Sequence, residues 1–181
     1  MPSRTYLGCL ALALFVCEHP FTATAQQSRA LERPAIKSVG KYISPRGSCT
    51  AVLKRNDLGG FLVLTVLSST TKSTMVKDVT GIAWAGADEL VYSTSPVYGD
   101  PGLYLYDCES NRSKRILGPR TRDKAYPKGA DHFELRGVSN ANSVLLFYYQ
   151  PDVDSIDFNE FRTPGNLYQV QLDGKRFEKA Q

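Results

Sequence analysis

After its first thirty-odd residues this chain sets short apolar runs between clusters of turn residues, and runs of helical period are almost absent. The pattern is strand, turn, strand. Gly81-Ile-Ala-Trp84 is a short apolar strand, and Ala85-Gly86-Ala87-Asp88 is a turn. Glu89-Leu-Val-Tyr-Ser93 is a second strand. Ser95 to Pro101, rich in Pro, Gly and Asp, is a loop. Leu103-Tyr-Leu-Tyr106 is a third strand. Asp107-Cys-Glu-Ser-Asn111 is a hairpin turn, and Lys114-Arg-Ile-Leu117 is a fourth strand.

The same order occurs twice more. Upstream, Lys41-Tyr-Ile43 leads through Ser44-Pro45-Arg46-Gly47 into Thr50-Ala-Val-Leu53. A loop carrying Gly59-Gly60, the strand Phe61 to Leu67 and the strand Thr74-Met-Val76 follow. Downstream, Phe133 to Val138, Ser143 to Tyr149, Asn166 to Leu172 and Lys175 to Phe177 form a third copy. The third strands of the copies, starting at Leu62, Leu103 and Leu167, recur at a spacing of roughly 40 residues or more. The last interval is stretched by the longer loops 118–132 and 150–165. A four-stranded meander cannot cover both its faces alone, so stacking copy on copy buries them. The expected fold is therefore all-β: antiparallel four-stranded blade-like repeats, a partial β-propeller. A β-sandwich or an open meander gives the same strand spacing.

Ser44-Pro-Arg-Gly47 before an apolar strand resembles the Ser-Pro-Asp-Gly turn of TolB-like β-propellers. That turn also marks the propeller domains of prolyl oligopeptidase and dipeptidyl peptidase relatives. Ile82-Ala-Trp84, Glu89 to Ser93 and Gly102 to Asp107 resemble the rest of such a blade. The resemblance covers roughly residues 36–178. Arg46 stands where the family has an acidic residue, and the other two copies lack the proline. The family's propellers have six or more blades, whereas this chain has length for about three. The resemblance implies work in envelope assembly; with about three blades the chain is expected to pair with a second copy, to attach to another propeller, or to fold as an open or sandwich-like variant.

The N-terminus sets a compartment. Arg4 precedes the apolar run Leu7 to Val16, and Ala23-Thr24-Ala25 is a small-x-small cleavage site. Residues 1–25 read as a secretory signal, 26–34 as a flexible leader and 35–181 as a single all-β domain. The apolar run is too short to span a bilayer. Bulky Val16 ahead of Cys17 argues against a lipoprotein signal. The expected location is secreted or periplasmic. Removal of the signal takes Cys9 and Cys17 and leaves Cys49 and Cys108, 59 residues apart. In an oxidising compartment these either form one bridge, worth roughly 3–4 kcal/mol as a long-loop staple, or stay unpaired. Asn111-Arg-Ser113 is a glycosylation sequon, which matters only in a eukaryotic pathway.

Composition narrows the function classes. The chain of 181 residues is 42% hydrophobic, with ten Tyr and eight Phe against two Met, which favours a sheet-rich core over disorder. A net charge of +4 is too small to imply nucleic acid. No nucleophile elbow, phosphate loop or zinc-protease motif is present. His132 is the only histidine after processing, and no acid–base partner accompanies it at catalytic spacing. The chain is read as non-catalytic, without cofactor, nucleic-acid partner or membrane span.

Three surfaces are candidates. Arg120, Arg122, Lys124 and Tyr126 form a basic loop suited to an acidic partner. Tyr98, Phe158 and Phe161 lie in long loops, where aromatics make binding contacts. Asp152, Asp154, Asp157 and Glu160 form an acidic loop, a weak metal candidate for a hard cation. The expected role is binding or scaffolding of a protein partner or a second copy. An exported carboxylate-based hydrolase or carbohydrate-acting enzyme, and a periplasmic sensor for a small molecule or glycan using the loop aromatics, are the alternatives.

Overall fold

The computed structural model describes residues 33–56, 62–68, 73–96, 100–120, 129–139, 143–151 and 158–180. Among these residues are twelve strands: β1 (Arg33–Pro34), β2 (Gly40–Ile43), β3 (Cys49–Arg55), β4 (Leu62–Ser68), β5 (Ser73–Trp84) and β6 (Glu89–Thr94), then β7 (Gly102–Asp107), β8 (Arg112–Leu117), β9 (His132–Ser139), β10 (Val144–Gln150), β11 (Leu167–Gln171) and β12 (Glu178–Lys179). A single helical turn, α1 (Phe158–Phe161), precedes a 3-10 turn at Pro164–Asn166. The strands build two antiparallel sheets. One runs β2 through β8 in sequence order; the other runs β1-β9-β10-β11-β12. The fold is all-β, as the alternation predicts, and neither sheet closes on itself.

The larger sheet doubles over. Laid flat, β3 and β7 would stand four strand spacings apart, about 19 Å. Yet Cys49 at the start of β3 and Cys108 just after β7 are disulfide-bonded, with Cα atoms 5.9 Å apart. The crease is in β5. Its first half pairs with β4 and its second half, Val79–Trp84, with β6. Asp78 sits between them in the left-handed region, φ 57°, with register shifts on either side. Aspartate tolerates that conformation, and the bulge bends the strand without ending it. The sequence reading expects two strands here, Thr74–Val76 and Gly81–Trp84. They are one strand, because the residues between them stay in the ladder.

Three layers result, and they correspond to the three repeats. Inward side chains of β3 and β4 (Ala51, Leu53, Leu64, Val66) pack with Ile82, Leu90, Tyr92 and Tyr106 from the second layer. The opposite face of that layer (Ala83, Val91, Leu103, Ile116) packs with Phe133, Leu135, Leu145, Phe147 and Val170 from the third. The middle layer is thus buried on both faces, and β6 accordingly is buried continuously from Leu90 to Thr94.

Two further boundaries differ from expectation. Arg33 and Pro34, assigned to a loose leader, pair with Val138 and Gly137 of β9. Ile36 then bridges to Ile82 in the other sheet. The last strand is Glu178–Lys179, not Lys175–Phe177, because Phe177 turns in to stack on Tyr168 and Phe147. The signal segment and the rest of the leader lie outside the described residues.

A polar clasp closes the doubled sheet beside the disulfide. The Ser44 hydroxyl accepts from the backbone of Gly47 and Cys49 and donates to Asp88 Oδ1 at 3.0 Å. Ser48 also donates to Asp88, and Arg46 pairs with its other oxygen at 3.2 Å. Arg46, the departure from the TolB-like turn, therefore meets an acid in the neighbouring repeat. We expect the double variant Cys49→Ala/Cys108→Ala to lose roughly 3–4 kcal/mol, read from urea midpoints against the oxidised parent. A loss below about 1 kcal/mol would show that the clasp alone holds the layers in the folded state and that the bridge restrains the unfolded chain little.

Candidate functional site

The described residues offer three features that a function can use: a buried ionic centre, a cleft at the crease and an uncovered sheet face.

The ionic centre lies on the outer side of the third layer. Glu134 on β9 is buried and receives Arg162 through bonds of 2.9 to 3.1 Å, and Lys37 as well. Burial works to raise its pKa, but these two cations outweigh it and hold the carboxyl below the usual range. The two cations thus favour the ionised form of Glu134. His132, two residues earlier on the same side, is buried against the Phe161 ring, 4.8 Å away edge-on. Desolvation holds its pKa down to about 4, with Glu134 opposing and Arg162 reinforcing the shift. The arrangement anchors α1 and the segment after it over the third layer. It has the chemistry of a brace: an acid held in its charged form and an imidazole held in its neutral one.

The predicted aromatic and charged residues fare differently. Phe161 was expected on a binding surface, but it is 0% exposed, packed on His132 and Tyr148. This is a correction with a simple cause: the α1 turn rolls Phe161 inward to cover the third layer. Arg120 is exposed, and its guanidinium lies 4.3 Å above the Phe177 ring. Its backbone N–H donates to Asp131, which also accepts from Tyr149. Arg120 is thus tied to the third layer, but its charged end remains on the surface. Glu160 is exposed on α1. Arg122, Lys124, Tyr126, Tyr98, Asp152, Asp154 and Asp157 lie outside the described residues, and of Phe158 only the backbone is described. Among the described residues no group of three His, Cys, Asp or Glu side chains is placed to hold a metal ion. No helix among them is long and apolar enough to cross a membrane.

The cleft, of about 380 Å³, opens at the crease. Met75, Val76 and Lys77 of β5 form one wall; Tyr92, Thr94, Tyr104 and Asp100 form the other. Tyr92 and Tyr104 are cross-strand partners, stacked at 5.1 Å and 7°. Burial raises both phenols, so they stay protonated. Tyr92 shares a 2.7 Å hydrogen bond with Ser113, and Tyr104 donates to the Asp100 carbonyl. The sequence search for loop aromatics passes over this pair because both belong to strands. The signal was the register: extending the 89–93 and 103–106 hairpin puts the two tyrosines opposite each other.

The uncovered face is the outer side of the first layer. Lys41 and Ile43, Thr50, Val52 and Lys54, Val63, Thr65 and Leu67, and Ser73, Met75 and Lys77 all point there, following the strand alternation. Ile43 is 67% exposed, Met75 66%, Val39 54% and Leu67 45%; all belong to this layer or the residue before it. The signal was Leu62 to Leu67, apolar on both sides of the strand.

No protein-family model, curated protein or solved structure matches this chain.

The His132 environment sets a pH dependence. The unfolded imidazole titrates near 6.5 and the folded one near 4, so the unfolded chain binds more protons between these values. The stabilisation is complete above pH 6.5 and is lost as pH falls toward 4. A shift of this size corresponds to about 3 kcal/mol. Loss of the Glu134 pairs follows at still lower pH, because its carboxyl is held below 4.5. The urea midpoint should therefore fall between pH 6.5 and 4, and His132→Leu should flatten that slope. An unchanged slope in the variant would assign the dependence to other groups.

Proposed function

We propose that this chain is an exported, non-catalytic module that binds or scaffolds protein partners, and that it meets them with the uncovered face of its first layer. One observation carries the reading. The exposed large hydrophobic residues among the described positions all sit on or beside this face, whereas the opposite end of the stack is covered by Phe161 and the Arg162–Glu134 pair. Clustered exposed apolar side chains mark interaction surfaces. The outward positions of β2 to β5 carry Lys41, Lys54 and Lys77 and no carboxylate. Two copies apposed through this face would bring like charges together. The favoured partner is therefore a different protein with an apolar patch rimmed by acids.

The Cys49–Cys108 bridge and the N-terminal signal-like segment support export to an oxidising compartment. The Ser44-Pro-Arg-Gly47 turn and the stacked four-stranded layers support kinship with TolB-like blades, and with it the cell envelope as the place of work.

The test is site-specific photocrosslinking in the producing cell. A photoreactive residue at Val39 or Thr65, on or beside this face and outside the crease, should give a discrete adduct with another protein; one at Arg112 or Lys179, also exposed, should not. The double variant Ile43→Glu/Leu67→Glu should abolish the adduct while leaving the folded spectrum intact. Adducts that survive that variant, or that form equally at Arg112, would reject the reading.

A further inference from the structure

We infer that the cleft at the crease is a strand-addition site: it accepts an extended peptide segment of a partner, which pairs with the open edge of β5 and carries acidic residues on its outward side. This site adjoins the face described above, shares Met75 and Lys77 with it, and goes beyond it.

Three observations meet here. The first is the edge. Residues Ser73 to Val76 of β5 pair with β4 on one side. Their other side has no strand beside it among the described residues, because β6 pairs only with Val79 to Trp84. The last described backbone bond on that side joins the Ser95 N–H to the Asp78 carbonyl; we take the N–H and C=O groups of Ser73 to Val76 beyond it as a short run open to the cleft. Such a run is a template for another strand.

The second is the shape. Met75, Val76 and Lys77 line the cleft consecutively. A sheet face would contribute alternate residues; consecutive ones mean that the cleft runs along the strand's edge. Its volume, about 380 Å³, suits the side chains of a short segment.

The third is the chemistry of the two sides. A strand added to β5 would alternate its side chains. Those on the Val76 side meet the stacked Tyr92 and Tyr104 rings, which favour apolar groups. Those on the Met75 and Lys77 side lie against exposed Lys77, which favours carboxylates. Tyr104 also lies within the influence of Arg115, adding positive charge on the far wall, with Asp100 the one acid there. The occupant chemistry is therefore an extended peptide alternating apolar and acidic residues.

The probe is a blocked peptide alternating valine and glutamate, as long as the Ser73–Lys77 run, titrated into nitrogen-labelled protein. Amide resonances of Met75, Val76, Lys77 and Tyr104 should shift. Lys77→Glu, a surface change, should weaken binding by about tenfold or more. A lysine–valine peptide should bind more weakly by a similar factor. Methylating the peptide's amide nitrogens in alternate frames should separate strand pairing from charge attraction: one frame abolishes binding, the other keeps it. The face variant Ile43→Glu/Leu67→Glu should bind the peptide as the parent does, so loss of the face reading and loss of this one are separable. No shift at Met75 to Lys77 at millimolar peptide, equal binding of both methylated frames, or equal binding of the lysine peptide would overturn the inference. So would concentration-dependent self-association of the protein through the same amides, which would make the occupant a second copy.

Discussion

The bend in β5 is the constraint on which the rest of this structure depends. One strand is shared by two layers, so those layers cannot be placed independently. Bending at Asp78 turns the second layer over the first and buries Leu64, Val66, Leu90 and Tyr92 together. It brings Cys49 to Cys108, and the Ser44 turn to Asp88, although both pairs are distant in sequence. It also pulls β6 off the first half of β5, which opens the crease and leaves an edge behind. Core, bridge, clasp and cleft share this single cause.

The second junction is made differently. No strand is shared between the second and third layers. Instead the backbone of β9 is satisfied by side chains: Thr80 donates to the Phe133 carbonyl at 2.8 Å, and the Leu135 N–H donates to Ser93 at 3.0 Å. Thr80 and Ser93 also bond each other. The segment after β1 adds backbone bonds to both sheets, through Ala35 to Arg136 and Ile36 to Ile82. Residues with short polar side chains thus replace ladder bonds at an edge that would otherwise be buried unpaired.

Local pattern made the strands legible and long-range contact did not. The hairpins around Ala85–Asp88 and Asp107–Asn111 follow from alternation and turn residues, and the repeat order gave the layers. The Ser44 turn was visible, but its partner Asp88 was not, since nothing local in Ser-Pro-Arg-Gly says which acid Arg46 meets. The bridge stayed undecided for the same reason: only the crease shows that the two turns converge. Thr74–Val76 and Gly81–Trp84 were expected as two strands, and nothing local shows that the backbone between them makes a bulge at Asp78 and stays in the ladder. Phe161 misled because a loop aromatic on the sequence became a lid once α1 formed over the third layer. Tyr92 and Tyr104 were in plain view as strand residues, and their value as a platform appeared only with the register.

The two ends of the stack are not equivalent, and the difference bears on function. Repeats that stack by burying both faces need something to cover the last ones. At the third layer this cap is built in: Phe161 covers the apolar surface, and Glu134, ionised and bound by Arg162 and Lys37, fixes the cap in place. At the first layer the same strand alternation presents Ile43, Leu67 and Met75 with lysines around them and no cap among the described residues. A stack that lacked the means to cover its ends would be bare at both. Among the described residues this one covers one end with a dedicated turn and a buried ion pair and exposes the other, and the proposed partner surface rests on that asymmetry. The ionised Glu134 and neutral His132 belong to the closed end, which they brace, whereas the proposed recognition draws on the lysines, the aromatic pair and the edge of β5 at the other end.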